Sequence, residues 1–202
     1  MINDMKQKVM EILLILFVLV CSYQPSVLAK PTTDRHKLTY EYLDQFSGTE
    51  FKIDYPQIYQ ALTNVFMELP DDVFHALTDP KRPVIFVSNI TTGIARYAHA
   101  TEFIKTKKST FAQGFYLITL ADELNNTDDV EAIEGIIFHE LAHRYLEHLR
   151  RSQFSCEMEK EANGLVKKWG FEKKFLKAKE KFGSKKIGDS PCQDLSINNN
   201  PK

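Results

Sequence analysis

The chain has little cysteine, almost no net charge and no apolar run long enough to cross a bilayer, and each shortage removes a class of function. Its 3 cysteines in 202 residues form no CxxC pair, which excludes a cysteine-based structural zinc site and a dithiol redox motif. With 26 basic against 27 acidic residues the formal charge is -1. That lacks the basic excess of a nucleic-acid binder, so no nucleic-acid partner is expected. The apolar run over residues 12–20 falls well below the roughly 20 residues a helix needs to span the hydrocarbon core. No stable membrane anchor is expected, and no internal repeat points to a solenoid.

The same run suits the middle of a secretory signal peptide, because Lys6 and Lys8 precede it and small residues follow it. Val27 and Ala29 stand at the third and first positions before a peptidase cut, which places cleavage after Ala29 and the new N-terminus at Lys30. Bulky Val20 before Cys21 argues against lipidation there. The expected organisation is a signal peptide over 1–29, one domain over 30–183 and a flexible tail over 184–202. The product would be exported, to a periplasm or outside the cell. Only Cys156 and Cys192 then remain, and an oxidising compartment would let two such thiols pair. Asn-x-Thr sequons at Asn89 and Asn125 matter where the source glycosylates.

Along the domain, the aromatic-rich residues 38–54 have no clean period and read as a helix leading into a strand. Helical spacing is clear over 58–69, with Pro56 near its start and Pro70 past its end. A short helix over 71–77 precedes VIFV at 84–87, and GFYLITLA at 114–121 again has strand composition. The next helix opens on a capping-box pattern, Asp128 with Glu131 three residues later. Ile133, Ile136, Ile137, Phe138, Leu141, Ala142 and Leu146 surround that helix with apolar side chains, which predicts burial on most of its circumference. Another helix runs from Ser155 to a stop at Gly170, making an αα-hairpin. A Lys-rich amphipathic helix over 171–182 is expected to dock on the core with its lysines solvated. The fold class is α+β.

The chemistry gathers in HELAH, residues 139–143. Residues four apart on a helix project from one face, so His139 and His143 can bind one metal ion through imidazole nitrogens. Glu140 lies on the adjoining edge, where its carboxylate can act as general base toward a water held by the metal without being a ligand itself. Two His and a Glu at these places arise by chance in roughly one chain of this length in two hundred. Three ionisable groups inside an apolar helix cost several kcal/mol unless paired or coordinated. A catalytic zinc takes three protein ligands, so one more is needed, and EMEKEAN at 157–163 is the nearest source.

At this point the chain resembles the gluzincin metallopeptidases, in which HExxH is followed by a glutamate ligand in ExxA(D/N) on a second helix. Glu159, Ala162 and Asn163 match that motif. The resemblance implies a zincin-like fold, a small sheet beside a helix hairpin, with Glu159 as third ligand and small Ala162 where the two helices pack. It also implies Asn163 accepting a hydrogen bond from a ligating imidazole, where relatives often carry Asp. Glu157 and Glu161 lie about 200° around the helix from Glu159 and do not share its face. Within the gluzincins, the short spacing is similar to the ImmA/IrrE-type peptidases and the signal peptide to exported HtpX-like ones.

The function so implied is a zinc metallopeptidase with one Zn²⁺ per chain, an endopeptidase rather than an exopeptidase, acting on a protein or peptide substrate. The alternative is a zinc-stabilised, inactive binding or sensing protein. His148, Tyr145, Tyr116 and His99 are the available oxyanion donors, with His148 projecting about 140° away from His143 on an ideal helix. The strand GFYLITLA is a candidate edge for binding extended substrate. A straight helix to Arg151 would leave His143 about 13 Å from its end, against about 6 Å for Glu159 on the next helix, so the first helix is expected to stop near His148.

Overall fold

The computed structural model describes residues 33–89, 97–107, 110–151 and 155–183. The expected signal peptide and its cleavage site, the C-terminal tail, Cys21 and Cys192 lie outside these residues. Among the described residues the chain is α+β, with seven α-helices and one three-stranded mixed sheet. No helix among them is long and apolar enough to cross a membrane.

Helices α1 (Thr33–Ser47), α2 (Thr49–Asp54), α3 (Pro56–Glu68) and α4 (Asp71–Leu77) form the first half. The predicted strand within 38–54 is absent, since α1 and α2 cover that stretch with only Gly48 between them, at a φ of 82°. The period was hidden because the buried positions of α1 include Arg35 and Thr39 as well as Tyr42 and Leu43. Their spacing is helical, but half of them are polar. Pro56 opens α3 at a position where its missing N–H costs nothing.

Strands β1 (Val84–Asn89), β2 (Ala98–Phe103) and β3 (Phe115–Ala121) pair in the order β1-β3-β2. β3 is parallel to β1 and antiparallel to β2. Its alternate residues Tyr116, Ile118 and Leu120 are buried, as period-two alternation over a core requires. β3 is therefore the central strand and cannot be the edge that binds substrate, because its backbone groups on both sides are already paired.

Helix α5 (Val130–Tyr145) runs through the middle of the molecule, and every residue from Ala132 to Arg144 is buried. It packs against α3, α4 and β2, and against α6 (Cys156–Lys168) and α7 (Glu172–Phe182). Its N-cap is Asp129, whose side chain accepts from the Ala132 amide. The capping box expected from Asp128 is thus displaced by one residue, and Glu131 is free to pair with Lys177 instead. Two lysines of α7 pair with acidic residues of other elements: Lys174 reaches Glu68 and Glu134, and the partly exposed Lys177 reaches Asp129 and Glu131. Ser155 caps α6 through the Met158 amide, and Gly170 takes a φ of 93° just past its end. Cys156, at the first turn of α6, is disulfide-bonded.

Candidate metal centre

The α5–α6 hairpin brings together residues separated in sequence by the 146–155 connection. His139 and His143 project from the same side of α5, and Glu159 comes from the first turn of α6. Close approach of α6 is permitted by Ala162, which is fully buried between the helices as its small size predicts. The two imidazole Nε2 atoms lie 3.1 Å apart, and Glu159 Oε2 lies 3.1 Å from His139 Nε2 and 3.5 Å from His143 Nε2. His139, His143 and Glu159 are 1%, 5% and 1% exposed. Together these three side chains could hold a metal ion.

Their donor atoms face one another rather than the rest of the protein. Glu159 Oε2 makes no well-directed hydrogen bond, although it lies within ion-pair distance of both rings. Burial by itself would raise the Glu159 carboxyl, but the His139 and His143 rings beside it hold it down at about 2. A buried carboxylate and two buried imidazoles converging on one point are costly unless a cation or proton lies between them.

Phe175 of α7 stacks on His139, with ring centroids 4.7 Å apart and planes 7° from parallel. His139 Nδ1 is buried without a hydrogen-bond partner. The bond that Asn163 is expected to accept from a ligating imidazole is therefore not donated by His139, and the Nδ1 of His143 meets another residue.

That residue is His148, which sequence reasoning placed on the far side of the helix. The premise of an ideal helix fails there. α5 ends at Tyr145, Glu147 adopts a left-handed conformation at φ 56°, and a 3-10 turn over His148–Arg150 follows. The reversal brings His148 Nδ1 to 2.7 Å from His143 Nδ1. His148 is 1% exposed, and its Nε2 lies 2.9 Å from Glu161 Oε2, which also accepts from Arg151 at 2.7 Å. Burial lowers the His148 imidazole from its ordinary range, more than Glu161 raises it. Glu161, expected to be a solvated charge, thus belongs to the surroundings of the centre, while Glu157 is exposed.

Glu147 is held in its strained conformation by arginines. Arg82 reaches it at 2.6 Å, Arg150 at 3.1 Å, and Arg144 makes a further short contact. Arg82 and Arg150 also grip Glu102 of β2. The turn that aims His148 is consequently tied to the edge of the sheet.

Glu140 follows His139 on α5 and is 8% exposed. Tyr116 of β3 lies beneath it, and burial, then the Glu140 charge, keeps the phenol protonated well above its usual range despite Arg144 nearby. Its hydroxyl has no partner. Among the other oxyanion candidates, Tyr145 packs edge-on against Trp169 and His99 is exposed on β2.

No protein-family model, no curated protein and no solved structure matches this chain.

Proposed function

We propose that this chain is an exported zinc metallopeptidase of gluzincin type, with His139, His143 and Glu159 as ligands and Glu140 as general base. The observation that carries the reading is the spacing of the three buried donors. Tetrahedral zinc with bonds of about 2.0–2.1 Å sets its ligand atoms roughly 3.3 Å apart, and the three separations here are 3.1, 3.1 and 3.5 Å. Two imidazoles and a carboxylate are also the donor set found at catalytic zinc in some peptidases. The disulfide at Cys156 fits the oxidising compartment that export would reach.

When bound, zinc would supply Lewis acidity to the attacking water and to the scissile carbonyl. Glu140 Oε would take a proton from that water and pass it to the leaving amine nitrogen. For an extended substrate, β2 replaces β3 as the strand in question, since it lies at the end of the sheet order and packs against α5.

The closure of the centre favours a second reading, a metal-stabilised binding protein, because structural zinc sites are closed and catalytic ones keep an open position. Glu140→Gln separates the two. It keeps the size and the hydrogen-bonding capacity of the side chain but removes the proton acceptor. The peptidase reading requires unchanged zinc content and at least a 10²-fold loss of turnover on peptides from the exported proteome. Equal behaviour of wild type and variant would leave only the binding protein.

A further inference from the structure

We propose that His148 is a positioning residue for the centre, fixing the tautomer of His143 so that its Nε2 lone pair faces His139 and Glu159. The inference rests on the reading that these three residues bind a metal. It uses the chain of contacts behind His143: Nδ1 to His148 Nδ1 at 2.7 Å, His148 Nε2 to Glu161 at 2.9 Å, and Glu161 to Arg151 at 2.7 Å.

Proton positions follow from the far end inward. Glu161 Oε2 accepts from the Arg151 guanidinium and faces His148 Nε2, the arrangement of a carboxylate in a guanidinium pair. An ionised carboxylate only accepts. His148 must therefore carry its proton on Nε2. A neutral imidazole has one donor and one acceptor, so His148 Nδ1 is then an acceptor. The atom 2.7 Å from it, His143 Nδ1, must be the donor. With its single proton on Nδ1, His143 presents a bare Nε2 to the point where the other two donors converge. Outer partners of this kind commonly orient ligating imidazoles and raise their basicity, and losing one costs about 10- to 100-fold in metal affinity.

His148 is not a fourth ligand in this arrangement. It meets the Nδ1 edge of His143, opposite the Nε2 edge that joins the cluster. Nor is its role shared by His139, whose Nδ1 has no partner. The orientation of the pair therefore depends on one side, and on a turn that the arginines hold around Glu147.

The test begins with metal-free protein, by long-range ¹H–¹⁵N NMR of the imidazoles above about pH 7.5, where a neutral ring is expected. Wild type should show His143 as the Nδ1–H form. Finding the Nε2–H form would overturn the proposal without recourse to any variant. Zinc affinity by chelator competition is the second readout. His148→Leu, which removes the acceptor, should weaken binding about 10- to 100-fold and mix the His143 tautomers. His148→Asn can place an amide oxygen where Nδ1 stood and should restore most of the loss. Wild-type affinity and tautomer in a folded His148→Leu would sink the idea, as would equal losses in Leu and Asn variants that unfold at the same temperature. If wild type shows the Nδ1–H form yet His139→Ala leaves zinc binding unchanged, the metal reading fails while the tautomer assignment stands.

Discussion

Gly135 and Lys174 meet where no side chain fits: a Cβ on Gly135 would lie 2.2 Å from the Lys174 carbonyl oxygen and 2.9 Å from the Phe175 Cα. This contact sets how closely α7 approaches α5. One turn further along α5 stands His139, and the residue after Lys174 is the Phe175 that stacks on it. The helix crossing and the wall of the metal centre are thus one packing arrangement.

Gly135→Ala should therefore destabilise the fold by about 1–3 kcal/mol, the usual cost of overpacking a tight contact with backbone. Helix propensity alone would predict the reverse, a gain of roughly 1 kcal/mol. Gly164 of α6 provides the control, since a Cβ there meets nothing within 4 Å and Gly164→Ala should gain about 0.5–1 kcal/mol. Urea unfolding of the two variants should shift the midpoint in opposite directions. Same-sign shifts would mean that the α5–α7 approach is not fixed at this point.

The Glu147 cluster should give stability a specific pH dependence. Burial would raise this carboxyl, but hydrogen bonding from Arg82 and the charges of Arg144, Arg82 and Arg150 outweigh it and hold it below its ordinary range. The folded chain then binds fewer protons than the unfolded one between the two values, so the stabilisation is complete above about pH 4.5 and fades as pH falls through the folded value. Glu147→Gln should lose about 1–2 kcal/mol at neutral pH, less than for a buried pair because this carboxylate is partly solvated. The difference from wild type in urea unfolding should shrink as pH falls below about 4.5, and a pH-independent difference would assign the effect to the backbone turn.

Much of the fold could be read from the chain because its signals are local. Helices α3, α4, α6 and α7 and strands β1 and β3 announce themselves by apolar period, prolines and caps; the His139 and His143 pair needed only spacing, while Glu159 came from the resemblance to the gluzincin motif. What escaped depends on distant partners. β2 is a polar sequence, AHATEF, whose Glu102 side chain is buried against the distant Arg82 and Arg150. Arg82 also holds Glu147, 65 residues away in sequence, and that left-handed residue turns His148 from the far side of an extrapolated helix to the back of His143. Periodicity assumes that the helix continues, and nothing in residues 139–151 shows which residue an arginine near β1 will capture. Reading the bond between His148 and Glu161 from sequence would have required the same turn.

The stacking of Phe175 on His139 predicts a loss of metal affinity without a change of ligand. His139 Nδ1 has no hydrogen bond to fix its ring, so packing is what holds it. Phe175→Leu keeps an apolar side chain but leaves space beside the imidazole, and should weaken zinc binding several-fold while costing about 1 kcal/mol of stability. Isothermal titration with zinc, run beside urea unfolding of the metal-free chain, distinguishes the two effects. Unaltered affinity in the folded variant would show that the ring is held by α5 alone.

The last prediction concerns what the ion does for the fold. In the metal-free chain the three donors must crowd together with only protons between them, and Glu159 is ionised down to about pH 2 by its two imidazoles. A cation that binds only the folded chain stabilises it by mass action, by about 4 kcal/mol at a free concentration a thousand times the dissociation constant. Chelation of the purified protein should lower its melting temperature by several degrees or more, and added zinc should restore it. His139→Ala, His143→Ala and Glu159→Ala should each abolish that response, because two ligands do not close a site that takes three from the protein. Glu157→Ala, at an exposed position of the same helix, should keep it. Glu161→Ala should retain the response at higher zinc, since it removes only the far end of the chain behind His143. A chain whose melting temperature is indifferent to chelator and zinc would not bind metal through α5 and α6, and the peptidase reading would fall with it. Loss of the response in Glu157→Ala but not in Glu159→Ala would instead move the third ligand by two residues and require a different rotation of α6.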